Sequence, residues 1–361
     1  MITYIILSAL YRLACGALIL AINWLLVVDK STFSSLAILT ALTFLPAILV
    51  PFIYKDSRIP ADRLSAYALF FASLLSFALH FSLSEFYILI FNTILWFFFF
   101  IMESSWEAWF ASLAKKYDEN SIKKFSSLSM SANQASLMLG PLLAAFLFKE
   151  NTRPIILLCA ILFALCVFVS FFISMKSSFE EEKKEEGQSV EKFKFSGLEL
   201  SLFLIWPTLA AFNFMLPVQV VSQKGSLSDA ALFDAFMGLA MILSSFIISQ
   251  AFLNKIFLRY KLNVLVLILA IFIWNFDGLV FKIVAVFILG LFFNASRIQT
   301  RSILAKRYSP LAVSKLVSFA NSSSFFIIIL ALYISYDKLY LSYILPFIFA
   351  SFISLLVFKK S

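Results

Sequence analysis

Charge is scarce in this chain: 14% of the residues are Asp, Glu, Lys or Arg, against roughly 25% in a soluble domain. Histidine occurs once, as His80 beside a polar break. The three cysteines, Cys15, Cys159 and Cys166, all fall inside apolar runs with no metal-ligand spacing. Structural zinc and a disulfide framework are thereby excluded from the reading. No glycine-rich loop ending in Gly-Lys-Ser/Thr is present to cradle a nucleotide phosphate, and the one long polar stretch is too short for an ATPase domain. No nucleophile, acid–base pair or metal set with recognisable spacing converges for an enzyme. The expectation is therefore a non-enzyme without cofactor or metal.

What the chain has in abundance is apolar surface, with 62% hydrophobic residues and a mean hydropathy of +0.97. Apolar runs close to the roughly 17–25 residues that cross a hydrocarbon layer follow one another along the sequence. They read as spans near 3–28, 34–54, 64–82, 86–113, 126–148, 154–174, 199–222, 230–253, 258–275, 279–299, 311–335 and 339–358. The fold class expected is an all-α polytopic membrane protein with twelve transmembrane helices. The first run has no basic leader and no small-residue cleavage site, so it reads as a span and not as a signal peptide. Pro46, Pro51, Pro141, Pro207, Pro217 and Pro346 should kink or interrupt their helices.

The net charge of +9 belongs to short loops, never to an aromatic-interleaved patch, so nucleic acid is not an expected partner. With the N-terminus inside, 22 of the 29 Lys and Arg residues fall in inside loops or the central connector and six lie on the outside. That count includes Arg297 and Arg301 as loop residues. The positive-inside bias places both termini in the cytoplasm. The mixed-charge stretch FEEEKKEEGQSVEKFKF divides the chain into residues 1–175, a connector at 176–198, and residues 199–361. Compact loops suggest a bacterial inner membrane and a monomer among lipids.

Two six-span halves with a charged inside connector resemble the major facilitator superfamily. In the fifth span that family's antiporter pattern has a glycine, eight residues, a glycine, three residues, Gly-Pro, two residues and Gly-Gly. The run SLSMSANQASLMLGPLLAA supplies Ser127, Ser136, Gly140, Pro141, Ala144 and Ala145 at those places. Gly140 and Pro141 match, and serine or alanine keeps the other positions small, as close helix approach requires. Between the second and third spans, DSRIPADRLSAYAL aligns Ala61, Asp62 and Arg63 with the family's loop motif but lacks both glycines and the later basic pair. Asp62 reads equally as a cap on the third helix. The resemblance implies two pseudo-symmetric six-helix bundles, alternating access and export of a small-molecule substrate in exchange for protons.

A charge at the centre of a membrane helix costs about 2.5–3.5 kcal/mol on insertion, so those that remain point to function. Arg12 lies nine residues into the first span, roughly 14 Å at about 1.5 Å per residue, and Glu103 lies at a similar depth in the fourth. Asn92, Trp96, Glu103, Trp106 and Glu107 share one face of the fourth span, and Arg12 and Asn23 share a face of the first. Glu103 is expected to be the coupling acid, since a carboxylate's hold on a proton changes with burial and with a nearby guanidinium. A static Arg12–Glu103 tie, with Glu107 simply wet, is the bland alternative. Asn133, Asn213, Asp234, Asn294 and Asn321 are weaker members of the same cavity, the asparagines being equally explained by interhelical hydrogen bonds. Two other functions remain in view: an importer of a small organic anion in the same superfamily, and a non-transporting receptor or membrane-embedded enzyme on the same fold.

Overall fold

A computed structural model describes residues 2–30, 33–55, 59–115, 117–147, 153–174, 196–213, 216, 220, 227–250, 259–337 and 339–358. The helices are α1 (Ile2–Lys30), α2 (Phe33–Phe44), α3 (Val50–Lys55), α4 (Ala61–Phe81), α5 (Glu85–Ala114), α6 (Glu119–Leu147) and α7 (Arg153–Ser174). They continue with α8 (Gly197–Asn213), α9 (Leu227–Ser249), α10 (Tyr260–Trp274), α11 (Leu279–Arg307), α12 (Pro310–Asp337) and α13 (Leu339–Phe358). A 3-10 turn, Leu45–Ile48, joins α2 to α3, and the three pieces form one span. Twelve spans in two bundles result, as the apolar runs lead one to expect, and the described residues contain no strand.

A bilayer offers the backbone no water, so each span must satisfy its own N–H and C=O groups, and helices do this. Where proline removes a donor the ladder gives way. Pro46 opens the 3-10 turn and Pro51 starts α3, whereas α8 and α13 continue through Pro207 and Pro346. Pro217 and residues 176–195 of the expected connector lie outside the described residues. Residues 197 and 198 of that connector belong to α8, whose first turn carries one half of a capping box: Ser196 N–H donates to Glu199 Oε2 at 2.9 Å, and the Ser196 hydroxyl donates to the same oxygen. Arg307 and Tyr308 then donate to Glu199 Oε1 at 2.9 and 2.8 Å, fastening the start of α8 to the end of α11.

Two boundaries need correction. The fifth span begins at Glu119 and not near 126, because Asp118 provides an N-terminal stop signal and accepts from Asn120 N–H at 3.2 Å. The Ser121 hydroxyl and first-turn N–H groups hold its carboxyl below the usual aspartate range. The tenth span runs to Arg307 and not to 299, so Arg297 and Arg301 are helix residues, not loop residues. In the third helix Pro60 occupies the N-cap and Asp62 sits buried in the first turn, where a carboxylate complements the helix dipole. Arg63 is exposed.

Within the first bundle α1 packs on α6 and α7, and α4 on α5 and α7. In the second, α9 packs on α11, α8 on α12 and α13, and α10 on α11 and α13. The halves meet where α6 lies against α9, α5 against α11 and α12, and α2 and α3 against α12. This explains the polar face of α6, which carries Ser126, Ser127, Ser129 and Gln134: it is buried against protein. Ser127 donates to the carbonyl of Ser245 on α9.

Small residues set the spacing of these contacts. A Cβ on Gly140 would strike the carbonyl of Leu13 and lie 2.7 Å from the Ala17 nitrogen, both backbone atoms of α1. A Cβ on Gly238 would meet only the flexible Met138 side chain. Gly140→Ala should therefore cost more than Gly238→Ala, at the upper end of about 1–3 kcal/mol for overpacking. Thermal denaturation of the purified variants checks this; equal melting temperatures would refute a rigid α1–α6 crossing.

Candidate functional site

Three helices of the first half and two of the second surround a buried ionic layer. On α5, Glu103 and Glu107 are four residues apart and share a face; on α11, Arg297 and Arg301 repeat that spacing. Arg12 of α1 makes an ion pair with Glu103 inside the first bundle, with side chains 19% and 13% exposed. Arg301 crosses between bundles and donates from Nε to Glu107 Oε2 at 2.7 Å. Its Nη1 donates to Ser129 Oγ of α6 at 2.8 Å and its Nη2 to Tyr4 Oη of α1 at 2.5 Å. Tyr4 Oη in turn donates to the Trp106 carbonyl at 3.2 Å. The guanidinium carbon lies 3.8 Å from the Phe110 ring centroid, a cation–π contact in a desolvated place.

One arginine of the second half is thus held by three helices of the first. Tyr4 is near the start of α1, while Glu107 and Arg301 are near the ends of α5 and α11, so the contact closes one end of the bundle. Above it lies a cavity of about 60 Å³, room for roughly four to six waters at about 10–15 Å³ each. Glu103, Glu107, Arg297, Arg301 and Asn321 line it, with Trp206 and Val317 among its apolar walls.

The remaining expected residues separate into groups. Asn92 is buried and donates to Thr43 Oγ1 at 3.2 Å, tying α5 to α2. Trp96 packs its ring on Phe44, Phe100 and, across the halves, Trp206. Trp106 is buried between Tyr4, Tyr11 and Trp109. Asn294 spends its amide on Met241 O, Ser244 Oγ and Ser245 Oγ at 2.7–3.0 Å, inside the second half. Asn213 is exposed at the end of α8, and Asp234 and Asn133 are half-buried on α9 and α6. None of these lines the cavity. Ser136 is half-buried and Gly140 is buried on α6; the side chains of Asn23, Pro141, Ala144 and Ala145 lie outside the described set.

Arg297 and Arg301, counted from the sequence toward the inside loops, lie on α11 beside the cavity. Glu107 is held by Arg301, against the alternative that left it simply wet. Tyr4, Ser129, Arg297, Arg301 and Trp206 were missed from the sequence. The matched four-residue spacing of acids on α5 and arginines on α11 is a signal that could have found the two arginines; nothing in the sequence marks the other three.

Two helical bundles meeting at a buried ionic layer define a polytopic transport fold. The sequence profile of the Major Facilitator Superfamily matches residues 4–332, and the chain belongs to that superfamily as a multi-pass membrane transporter, not an enzyme. No curated protein sequence matches it. Among solved structures it is similar to the human organic anion transporter MFSD10 (TETRAN), with TM-score 0.75 and 15% identity over 99% of this chain and 97% of that one. A bacterial homologue of the iron transporter ferroportin in the outward-facing state gives 0.68 and 16% over 99% and 98%. The E. coli fucose:proton symporter FucP gives 0.67 and 13% over 100% and 99%. At such identities the likeness is one of fold.

The Arg301 contact makes a stability prediction. Glu107→Leu leaves a guanidinium that is 6% exposed without its carboxylate and should lose about 3–5 kcal/mol. Adding Arg301→Met should restore most of that loss, as apolar replacement of both partners removes the buried charge. A melting-temperature cycle over the single and double variants measures it; additive losses would show that the two residues are not coupled.

Proposed function

We propose that the protein is a proton-coupled exporter of a small organic molecule, working by alternating access in a bacterial inner membrane with both termini in the cytoplasm. The observation that carries this reading is the cavity between the halves, where the carboxylates of Glu103 and Glu107 meet Arg297 and Arg301. A carboxylate whose water access and charged neighbours differ between two states differs in its hold on a proton, which is what coupling requires. Glu103 is the coupling acid, and Arg12 is the partner against which its proton competes. The fifth-span pattern around Gly140 supports the export direction.

Glu107 and Arg301 take a different part, as a latch on the cytoplasmic side. That side cannot open unless the halves separate there, and separation breaks the hydrogen bonds of Arg301 to α1, α5 and α6. The latch supplies what the loop at Asp62 and Arg63 lacks, since both glycines and the later basic pair of the family's usual gate are missing.

Glu103→Gln keeps volume and a hydrogen-bonding end but removes the titratable proton. The variant in proteoliposomes should lose transport driven by a pH gradient while keeping counterflow, which needs no net proton movement. Normal proton-driven transport by Glu103→Gln would overturn the coupling role. Failure to purify a folded variant would favour a static Arg12–Glu103 tie. Inverted and right-side-out vesicles then fix the direction.

A further inference from the structure

The ionic layer is unbalanced. Three guanidinium groups, those of Arg12, Arg297 and Arg301, meet two carboxylates, and each carboxylate already has a partner: Arg12 with Glu103 and Arg301 with Glu107. Arg297 has neither ion pair nor hydrogen bond among the described residues, and its Nη1 is buried without an acceptor. The Phe293 ring of its own helix lies 5.5 Å from the guanidinium carbon, and Glu103 and Glu107 act on it through space without bonding it. On α12, across the same cavity, Asn321 is 3% exposed and its Nδ2 also lacks an acceptor. Both residues line the cavity.

Two buried donors on different helices therefore face one cavity, and the ionic layer around it, counting Arg12 paired with Glu103, carries an excess of one positive charge. Leaving either donor unmet is costly, more so for the charged one. Neither the net charge nor the donor count is explained by packing within the protein. We propose that Arg297 and Asn321 bind the anionic group of an organic monoanion, Arg297 supplying the charge and Asn321 a second N–H. A carboxylate fits because it is planar, accepts from two donors and matches the fork of a guanidinium. A dianion would exceed the available charge, and a cation would be repelled by it. Leu202, Ile205, Trp206, Val313 and Val317 form the apolar walls that face the ligand's body. The cavity widens to admit that body when the halves separate.

The inference rests on the transport reading above but is tested without a proton gradient. Purified protein in detergent is titrated with benzoate and hexanoate, with benzamide and benzylamine as neutral and cationic counterparts, and melting is followed. Both carboxylates should raise the melting temperature of the wild type by mass action, and benzamide and benzylamine should not. Arg297→Gln should weaken the benzoate response at least about tenfold, Arg297→Lys should keep part of it, and Asn321→Ala should weaken it less than Arg297→Gln. A benzamide or benzylamine response equal to that of benzoate, an unchanged benzoate midpoint in Arg297→Gln, or no carboxylate response in the wild type would each overturn the proposal. The wild-type series decides even where Arg297→Gln does not fold. Carboxylate binding without gradient-driven transport would sink the coupling reading alone, and gradient-driven transport of a neutral compound by Arg297→Gln would sink the anion site alone.

Discussion

A guanidinium held between helices in a lipid bilayer has to find acceptors inside the protein, and much of this architecture follows from how Arg301 finds them. Its three nitrogens donate to a carboxylate on α5, a hydroxyl on α6 and a phenol on α1, while its flat face lies on Phe110. Each partner comes from the first half and the arginine from the second. The contact is therefore all-or-none: when the bundles part at that end, the three acceptors leave together, and water must replace them at once. A single hydrogen-bonded residue of this kind turns a sliding interface into one with two discrete arrangements.

Such a layer needs close, well-fixed helices around it, and the small residues provide them. Lipid tails are as apolar as the helices, so association relies on close approach and on interhelical hydrogen bonds. Gly140 brings α6 onto the α1 backbone, and Gly290 does the same for α11 on α9, where a Cβ would strike the carbonyl of Met237. Beside the second crossing, Asn294 hydrogen-bonds three groups of α9. The two rows that carry the arginines and their acceptors are thus set on helices locked within their own bundles, so the play between bundles is concentrated at the layer.

The twelve spans were legible because hydropathy reports contact with lipid, and most of this chain has it. The same measure fails where a helix is covered by protein. The first turns of α6 and the last of α11 are polar, so they read as loops, yet both are helical: α6 starts after Asp118 with Asn120 and Lys124 exposed, while α11 buries Arg301 and Ser302 before its exposed last residues. Arg297 and Arg301 suffered most from this. A basic residue near a span's end satisfies the positive-inside rule whether it faces the cytoplasm or the core, and counting it toward orientation hides it as a cavity residue. Arg12 and Glu103 were visible because a largely apolar run of about two turns precedes each of them. Asn321 was visible as a residue type but not as an orphan donor, a property that exists only once the neighbours are known.

The two carboxylates of α5 show why four residues can separate two tasks. Glu103 is paired with α1, a helix of its own bundle, so a rigid rocking of the bundles carries that pair along intact. Only the water and ligand that reach it change. Glu107 is paired with α11, so the same rocking pulls its partner away. In the proposed cycle the first pair responds to occupancy of the cavity and the second to the position of the bundles. The cavity between them, with Arg297 on its wall, is where an anion would be felt by both. A ligand carboxylate on Arg297 would bring negative charge beside Glu103 and Glu107, raising the cost of keeping both ionised.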